Sequence, residues 1–517
     1  MTVSTVEGEK RFFAASPWLL WISALIIFAV GLGVRLYDLT DPPLDFHPTR
    51  QLHSAMMARG MYYETLTNLD EDWKRELAMQ QWKAEGVIEP PIMEYLTGWT
   101  YRLFHTEDLW IARLYSIFFW MVGGVFIFLL GRETIGDNGA LVALLYFLLL
   151  PYGAIASRAF QPDPLMVAAI VAAWWGLARW QRTPTWKWAI IAGLLAGLAI
   201  FIKLVAAFFV GMVCVGMVLF GPGLRRAVRD PRVWVLGVLT VLPYACYHIY
   251  GMYISGFLQS QLSLRFFPQM WSDPVFYLRW NNELSGVVGF EWLLVALVGT
   301  FLVRQRAPRA ALALVWVGYF VYGMTLSHHI STHDYYQLPL IPVVALGVAA
   351  AVEVGLQHLR GPKPILYAVV LAVLLATTVL KAWDIRVTLK RNDYRGEVEY
   401  WQELGKTIGQ GSAVIGLTHD YGYRLAYWGW VNPTNWLTSA DFEVRAMAGQ
   451  EYDMRQEFKR ATRGMDFFVV TLMDELAHQP KLKSLLYGNY PVIKEGDGFV
   501  IFDLRHPKDE QTPTPAP

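Results

Sequence analysis

Apolar runs, each about as long as a bilayer-spanning helix, recur between residues 17 and 382 and are separated by short polar turns. A spanning helix takes ~20 mostly apolar residues. By that measure, runs lie near 17–36, 111–131, 138–157, 163–180, 187–202, 204–220, 233–251, 288–304, 309–326, 337–357 and 364–382. They predict about eleven spans. The division at Lys203 rests on a single polar residue between two apolar runs. Two polar segments interrupt the series. Residues 37–110 contain two amphipathic stretches, Thr49–Tyr63 and Asp70–Lys83, predicted to lie along a membrane surface. Residues 252–287 mix Phe257, Phe266, Phe267, Trp271 and Trp280 with Arg265 and Arg279, an interfacial composition.

From about Asp393 the period changes. Val398–Ile408 and Tyr452–Thr462 have helical spacing, and Ser412–Leu417, Asp466–Thr471 and Phe499–Asp503 look like short strands. Alternating strands and helices predict a small α/β domain over 391–506, followed by a Pro-rich, disordered tail over 507–517. The expected organisation is thus a polytopic α-helical membrane protein. Residues 1–16 precede it, 17–390 form the membrane domain with 37–110 as its first outer loop, and the α/β domain closes the chain.

Composition narrows the class. The 517 residues are 55% hydrophobic and 17% charged, too apolar for a soluble surface of this size. A net charge of +1 provides no basic field for nucleic acid. Cys214 and Cys246 both sit inside apolar runs, as small core residues do, and form no metal or disulfide spacing. Basic residues set the orientation. Lys10 and Arg11, Arg132, Arg179/Arg182/Lys187, Arg225/Arg226/Arg229/Arg232, Arg304/Arg306/Arg309 and Arg360/Lys363 fall on one side if the spans alternate. That side is cytoplasmic, which places the N-terminus inside and the α/β domain outside. The first run lacks a small-residue cleavage site and is expected to remain as a helix.

The outward-facing polar groups are the candidates for chemistry, because charge near hydrocarbon is costly. Asp45, His47, Arg50 and Gln51 follow the first run, with His53 and Arg59 beyond them. A carboxylate there suits a general base and a guanidinium suits an anion clamp. Glu89 precedes Pro90-Pro91, where an acid also favours a helix start. Arg158 and Asp163 flank a short turn, and Asp163 could equally cap the next helix. Lys203 could snorkel or neutralise a lipid phosphate. His329 and His333 have the i,i+4 spacing of a helical metal pair beside Asp334, so a divalent metal is one possibility. Leu338-Pro339 disfavours helix there, and hydrogen bonding to sugar or phosphate from His333, Tyr335 and Tyr336 is preferred.

Several of these segments together resemble a known superfamily. They are the acidic residue in the first outer loop, Pro90-Pro91-Ile92-Met93-Glu94-Tyr95-Leu96, Asp163-Pro164-Leu165, and Tyr336-Gln337-Leu338-Pro339-Leu340-Ile341-Pro342. The membrane part is similar to the GT-C membrane glycosyltransferases, in the branch of protein O-mannosyltransferases and lipid A aminoarabinose transferases. That resemblance implies a polyprenyl-phosphate-sugar donor, an acceptor on a glycan, lipid or protein, and an outer-face site. It implies Asp45 as general base, working alone, with His47 or with Asp163. Asp45 is followed by Phe46 and His47 where relatives often carry a paired Asp-Glu, and Glu89 stands where the lipid A branch commonly has Lys. A phosphate leaving group needs its charge neutralised, and Arg50, Arg158, Lys203 and Arg279 are the available cations. One displacement would invert the anomeric centre. The rival readings are a transporter or flippase, which would place polar groups at mid-membrane in repeated halves, and a non-catalytic receptor.

Overall fold

A computed structural model describes residues 12–67, 72–87, 89–259, 266–450 and 453–508. Lys10, Arg11, Asp70, Arg265, Tyr452 and the chain beyond Lys508 figured in the expectations above and lie outside these residues. The chain forms two compact units. One contains residues up to Thr40, Gly86–Met93 and Trp110–Asn392; the other contains Asp41–Glu85, Glu94–Leu109 and the residues from Asp393 onward.

The first unit is helical, and every expected apolar run coincides with helix. Among the described residues, six helices are long and apolar enough to cross a membrane. A seventh is added if Pro274–Val288 and Phe290–Leu302, bent by 86° at Gly289, count as one. The eleven expected runs also take in shorter apolar helices, Asp137–Leu149, Trp186–Ile202 and Ala206–Phe220. The run at 138–157 divides into Asp137–Leu149 and Pro151–Ala156 at a proline, and Lys203 separates Trp186–Ile202 from Ala206–Phe220. Hydrocarbon-facing positions are evident on Pro231–Ile249 (Trp234, Val238, Val241) and on Lys363–Lys390 (Ile365, Val369, Val373), whose large apolar side chains stand exposed. The chain is an integral membrane protein. By contrast Ile341–His358 and Asp163–Arg182 are buried along most of their length.

Small residues let these helices touch backbone to backbone, the usual device where no hydrophobic effect drives association. A Cβ on Gly299 would lie 1.8 Å from the Gly347 carbonyl oxygen, so Phe290–Leu302 and Ile341–His358 approach only because both positions are glycine. Arginines fasten the end of the first helix. Arg35 Nε donates to Ser157 Oγ at 2.7 Å, Arg158 Nη2 to the Asp38 carbonyl at 2.8 Å, and Arg113 Nη1 to the Leu39 carbonyl at 3.2 Å.

The second unit joins first-loop segments to the C-terminal α/β fold. Its sheet runs β2-β1-β3-β5-β4, with β1 (Val414–Leu417) parallel to β2 (Thr434–Asn435) and β3 (Phe467–Val470). β5 (Phe499–Asp503) is antiparallel to both β3 and β4 (Val492–Gly496). Ile415, Leu417, Trp436, Phe458, Phe468 and Phe502 fill its core. The expected strands are β1, β3 and β5; β4 was missed because its five residues are all exposed. The helix Pro48–Glu64 is not a surface-lying amphipathic helix as expected. Nearly all of it from Gln51 to Tyr62 is buried, and Arg59 reaches the Tyr427 carbonyl at 2.6 Å and Glu107 at 2.8 Å. Its polar positions read as a solvent face in sequence, but they are spent on internal hydrogen bonds.

Candidate active site

In the first unit, Lys203 is the centre of a buried ionic cluster. It sits at the C-terminus of Trp186–Ile202 in an extended conformation (φ −157°, ψ 123°), where the helix stops before Ala206–Phe220 begins. The break turns its side chain toward the first turn of Asp163–Arg182. Its Nζ lies 3.0 Å from both carboxylate oxygens of Asp163, which is only 2% exposed. Glu89 Oε1 stands 3.9 Å from the same ammonium. The rings of Tyr335 and Tyr336 lie 5.5 and 5.6 Å from it, in cation–π range. Tyr336 in turn stacks on Tyr322 (6.3 Å, 11°) and contacts His329 (5.3 Å) and His333 (6.0 Å). Four separated stretches of sequence therefore meet around one cation.

Asp163 thus pairs with Lys203 and not with Arg158 of the same turn. Arg158 spends an N–H on the Asp38 carbonyl and is 2% exposed. Arg279 is exposed on Pro274–Val288 and sits beside His328, whose pKa is held below the ordinary imidazole range by burial and then by that guanidinium. The helix pattern that would make His329 and His333 a metal pair is absent. Ser327–Ile330 is a single turn, and a 3-10 segment starts at Asp334. The two imidazoles stack instead, 5.8 Å apart, and Thr332 Oγ1 lies 2.8 Å from His333 Nδ1. Among the described residues no group of three or more His, Cys, Asp or Glu side chains is placed to hold a metal.

In the second unit, Asp45 is half-buried on the loop before Pro48–Glu64. The Gln51 amide holds that loop, donating to the Phe46 carbonyl and, at 3.2 Å, to the Pro43 carbonyl. Between them these bonds fix the backbone on both sides of Asp45. His47 takes φ 41° as the chain turns into the helix at Pro48. One turn on, His53 Nε2 is 3.3 Å from Glu85, which also accepts from the Tyr423 hydroxyl at 2.7 Å. Burial raises the Glu85 carboxyl to about 7, against a smaller opposing effect of the Tyr423 bond. Arg50 acts on the same Tyr423. Sequence reasoning missed Glu85, because nothing in Lys83-Ala84-Glu85-Gly86 marks it as buried.

The family model described as dolichyl-phosphate-mannose-protein mannosyltransferase matches residues 88–250, the stretch that supplies Glu89, Asp163 and Lys203. The fold continues well beyond that stretch. ArnT from Cupriavidus metallidurans, solved bound to undecaprenyl phosphate, superposes with a TM-score of 0.57 at 18% identity, covering 94% of this chain and 98% of that one.

The fold is that of the GT-C membrane glycosyltransferases.

A second GT-C structure agrees. It is the archaeal oligosaccharyltransferase AglB from Archaeoglobus fulgidus, solved with an inhibitory peptide and a dolichol-phosphate. It gives a TM-score of 0.59 at 12% identity over 94% of this chain and 74% of that one. The mycobacterial arabinofuranosyltransferase AftD gives 0.50 at 15% identity over 95% and 40%. A comparison with curated proteins finds no match. The resemblance read from Pro90–Leu96, Asp163–Leu165 and Tyr336–Pro342 thus extends to the whole GT-C architecture, including the C-terminal sheet domain.

Proposed function

We propose that this GT-C chain is a glycosyltransferase that moves a sugar from a polyprenyl-phosphate carrier to an acceptor hydroxyl on the extracytoplasmic face. The observation that carries the reading is the Lys203–Asp163–Glu89 cluster, built from the segment matched by the mannosyltransferase family model. Two further facts support it: the polyprenyl-phosphate ligands of two of the fold's relatives, and the basic-residue bias of the short loops.

In this reading Lys203 faces the carrier phosphate. An ammonium has three N–H donors, so it can hold Asp163 and a phosphoryl oxygen together. Asp163 keeps that ammonium fixed in apolar surroundings, which preorganises the charge that the leaving phosphate needs. Arg50 and Arg279 are the further cations assigned to the phosphate, and Arg158 holds the Asp38 carbonyl. His47, His333, Tyr335 and Tyr336 are assigned to sugar or phosphate oxygens. Asp45, on its pinned loop, takes the proton of the acceptor hydroxyl. The bond from C1 to the phosphate oxygen breaks as the bond from C1 to the acceptor oxygen forms. The product anomer is therefore inverted.

The test uses membranes containing the chain, radiolabelled undecaprenyl-phosphate sugars and cell-envelope acceptors. Label is expected to leave the carrier with the wild type. With Asp45→Asn, transfer is expected to fall about a thousandfold while membrane insertion is unchanged. Normal transfer by Asp45→Asn removes that residue as the base. Label that crosses the bilayer still attached to its carrier replaces the enzyme with a flippase.

A further inference from the structure

The C-terminal fold has a concave site of its own, more polar than the membrane helices. It is an open groove of about 920 Å³ between the helices Met454–Ala461 and Pro480–Asn489. That volume is in the range of ligand sites rather than of packing defects. One wall is the stripe Arg455, Phe458, Lys459 and Thr462, spaced i, i+3, i+4, i+7 and so presented on one helical face. The opposite wall presents Lys481, Ser484 and Asn489, and Tyr490 closes one end with its ring 5.9 Å from that of Phe458.

Charge is sorted between the two faces of Met454–Ala461. Its acid Glu457 lies off the groove, paired with Arg460 at 2.6 Å and within 3.9 Å of Arg445. The one carboxylate on the groove, Asp453, is spent as the helix cap, accepting from the backbone N–H of Arg455 and Gln456 at 2.8 and 2.9 Å. Among the described residues, Arg455, Lys459 and Lys481 form no ion pair with an acid. Three cations thus line a groove that also carries a hydroxyl, an amide and a partly buried aromatic ring.

We propose that this groove binds an acidic carbohydrate, an oligosaccharide bearing carboxylate groups. The cations match carboxylates, Ser484 and Asn489 match sugar hydroxyls, and the Tyr490 ring offers a face to a pyranose. A lipid surface is disfavoured because the site is concave, and its apolar side chains Met454, Phe458 and Leu485 are half-buried or buried rather than presented for insertion. The inference concerns binding alone, so it stands or falls separately from the transfer reaction.

The experiment places the full chain in lipid nanodiscs and titrates it with fluorescent tetragalacturonate, maltotetraose and hexaglutamate. Tetragalacturonate is expected to bind at least tenfold more tightly than either of the others, with an affinity that falls as salt rises. Lys459→Glu/Lys481→Glu alters two exposed side chains and is expected to weaken that binding at least tenfold without changing the unfolding temperature. If the reversal disturbs folding, Lys459→Gln/Lys481→Gln is used and a smaller loss of the same sign is expected. Unchanged binding by a folded variant, hexaglutamate binding as tightly as tetragalacturonate, or no binding of tetragalacturonate overturns the proposal.

Discussion

Asp163 and Glu85 are both withdrawn from solvent, yet the two units treat their acids in opposite ways. Asp163, in the helical unit, has a lysine ammonium on both of its oxygens at 3.0 Å. Glu85, in the mixed unit, has a tyrosine hydroxyl at 2.7 Å and an imidazole at 3.3 Å. An ion brought into apolar surroundings must be paired or must neutralise itself. The first acid takes the first course, so its cluster is a fixed array of charge. The second takes the other, so its proton comes and goes near neutral pH. A fixed array suits the stabilising of a charged leaving group, whereas a group titrating near 7 makes the fold around it sensitive to pH.

The largest effect is expected from breaking the fixed array. Lys203→Met should leave Asp163 buried and uncompensated at a cost of about 3–5 kcal/mol. Asp163→Asn/Lys203→Met should recover most of that loss, because neither charge then remains. Thermal unfolding of the four proteins in nanodiscs gives the coupling directly. If the double variant is as unstable as the sum of the single ones, the ammonium and the carboxylate do not depend on each other and the contrast with Glu85 disappears.

This contrast was only half visible in the sequence. Asp163 and Lys203 were singled out because a charge at the edge of an apolar run is conspicuous, but their 40-residue separation concealed the pairing. Only the break after Ile202 shows that Lys203 points to the turn at 158–163. Apolar periodicity located the long apolar helices of the membrane unit, since backbone crossing a bilayer must be helical, but it read Pro274–Val288 as part of an interfacial segment. It found the division at Lys203 and did not show the break at Pro151. In the other unit, periodicity found β1, β3 and β5, which are buried strands, and missed β4. It also placed Pro48–Glu64 on a surface. The buried polar residues of that helix, Gln51, Ser54 and Arg59, satisfy carbonyls and acids drawn from Phe46, Glu94 and Tyr427. A sequence pattern records polarity; it does not show whether water or protein satisfies it.

The second prediction addresses the titrating acid. Because the folded state holds the Glu85 proton to about 7 against an ordinary 4.5, folding takes up a proton between those values. Stability is therefore greatest below pH 4.5, declines as pH rises, and levels off above 7. The whole decline is at most about 3–4 kcal/mol, from about 1.36 kcal/mol for each tenfold change in proton affinity. Glu85→Gln keeps an acceptor for the Tyr423 hydroxyl and cannot ionise. It should match the wild type at pH 4 and exceed it at pH 8. His53 faces the same carboxyl at 3.3 Å, so the measurement is repeated in His53→Gln. A wild-type profile that Glu85→Gln leaves unaltered shows that the carboxyl is not the titrating group.

The smallest effect sharpens the comparison most, because it moves Glu85 without touching its charge. Tyr423→Phe removes one hydroxyl, and a typical hydrogen bond contributes about 1 kcal/mol. The Tyr423 bond favours the ionised carboxylate, working against burial. Without it the carboxyl should hold its proton to still higher pH, so the loss of stability should grow as pH rises and be least where Glu85 is protonated. The unfolding temperature followed from pH 5 to pH 9 distinguishes this from a pH-independent loss, which would show that Tyr423 merely fills space. The same substitution has no counterpart at Asp163, whose partner is an ion. There, removing the partner alters stability at every pH at which both groups are charged. A tyrosine trims the proton affinity of an acid that burial governs, whereas a lysine gives its acid a charged partner at 3.0 Å.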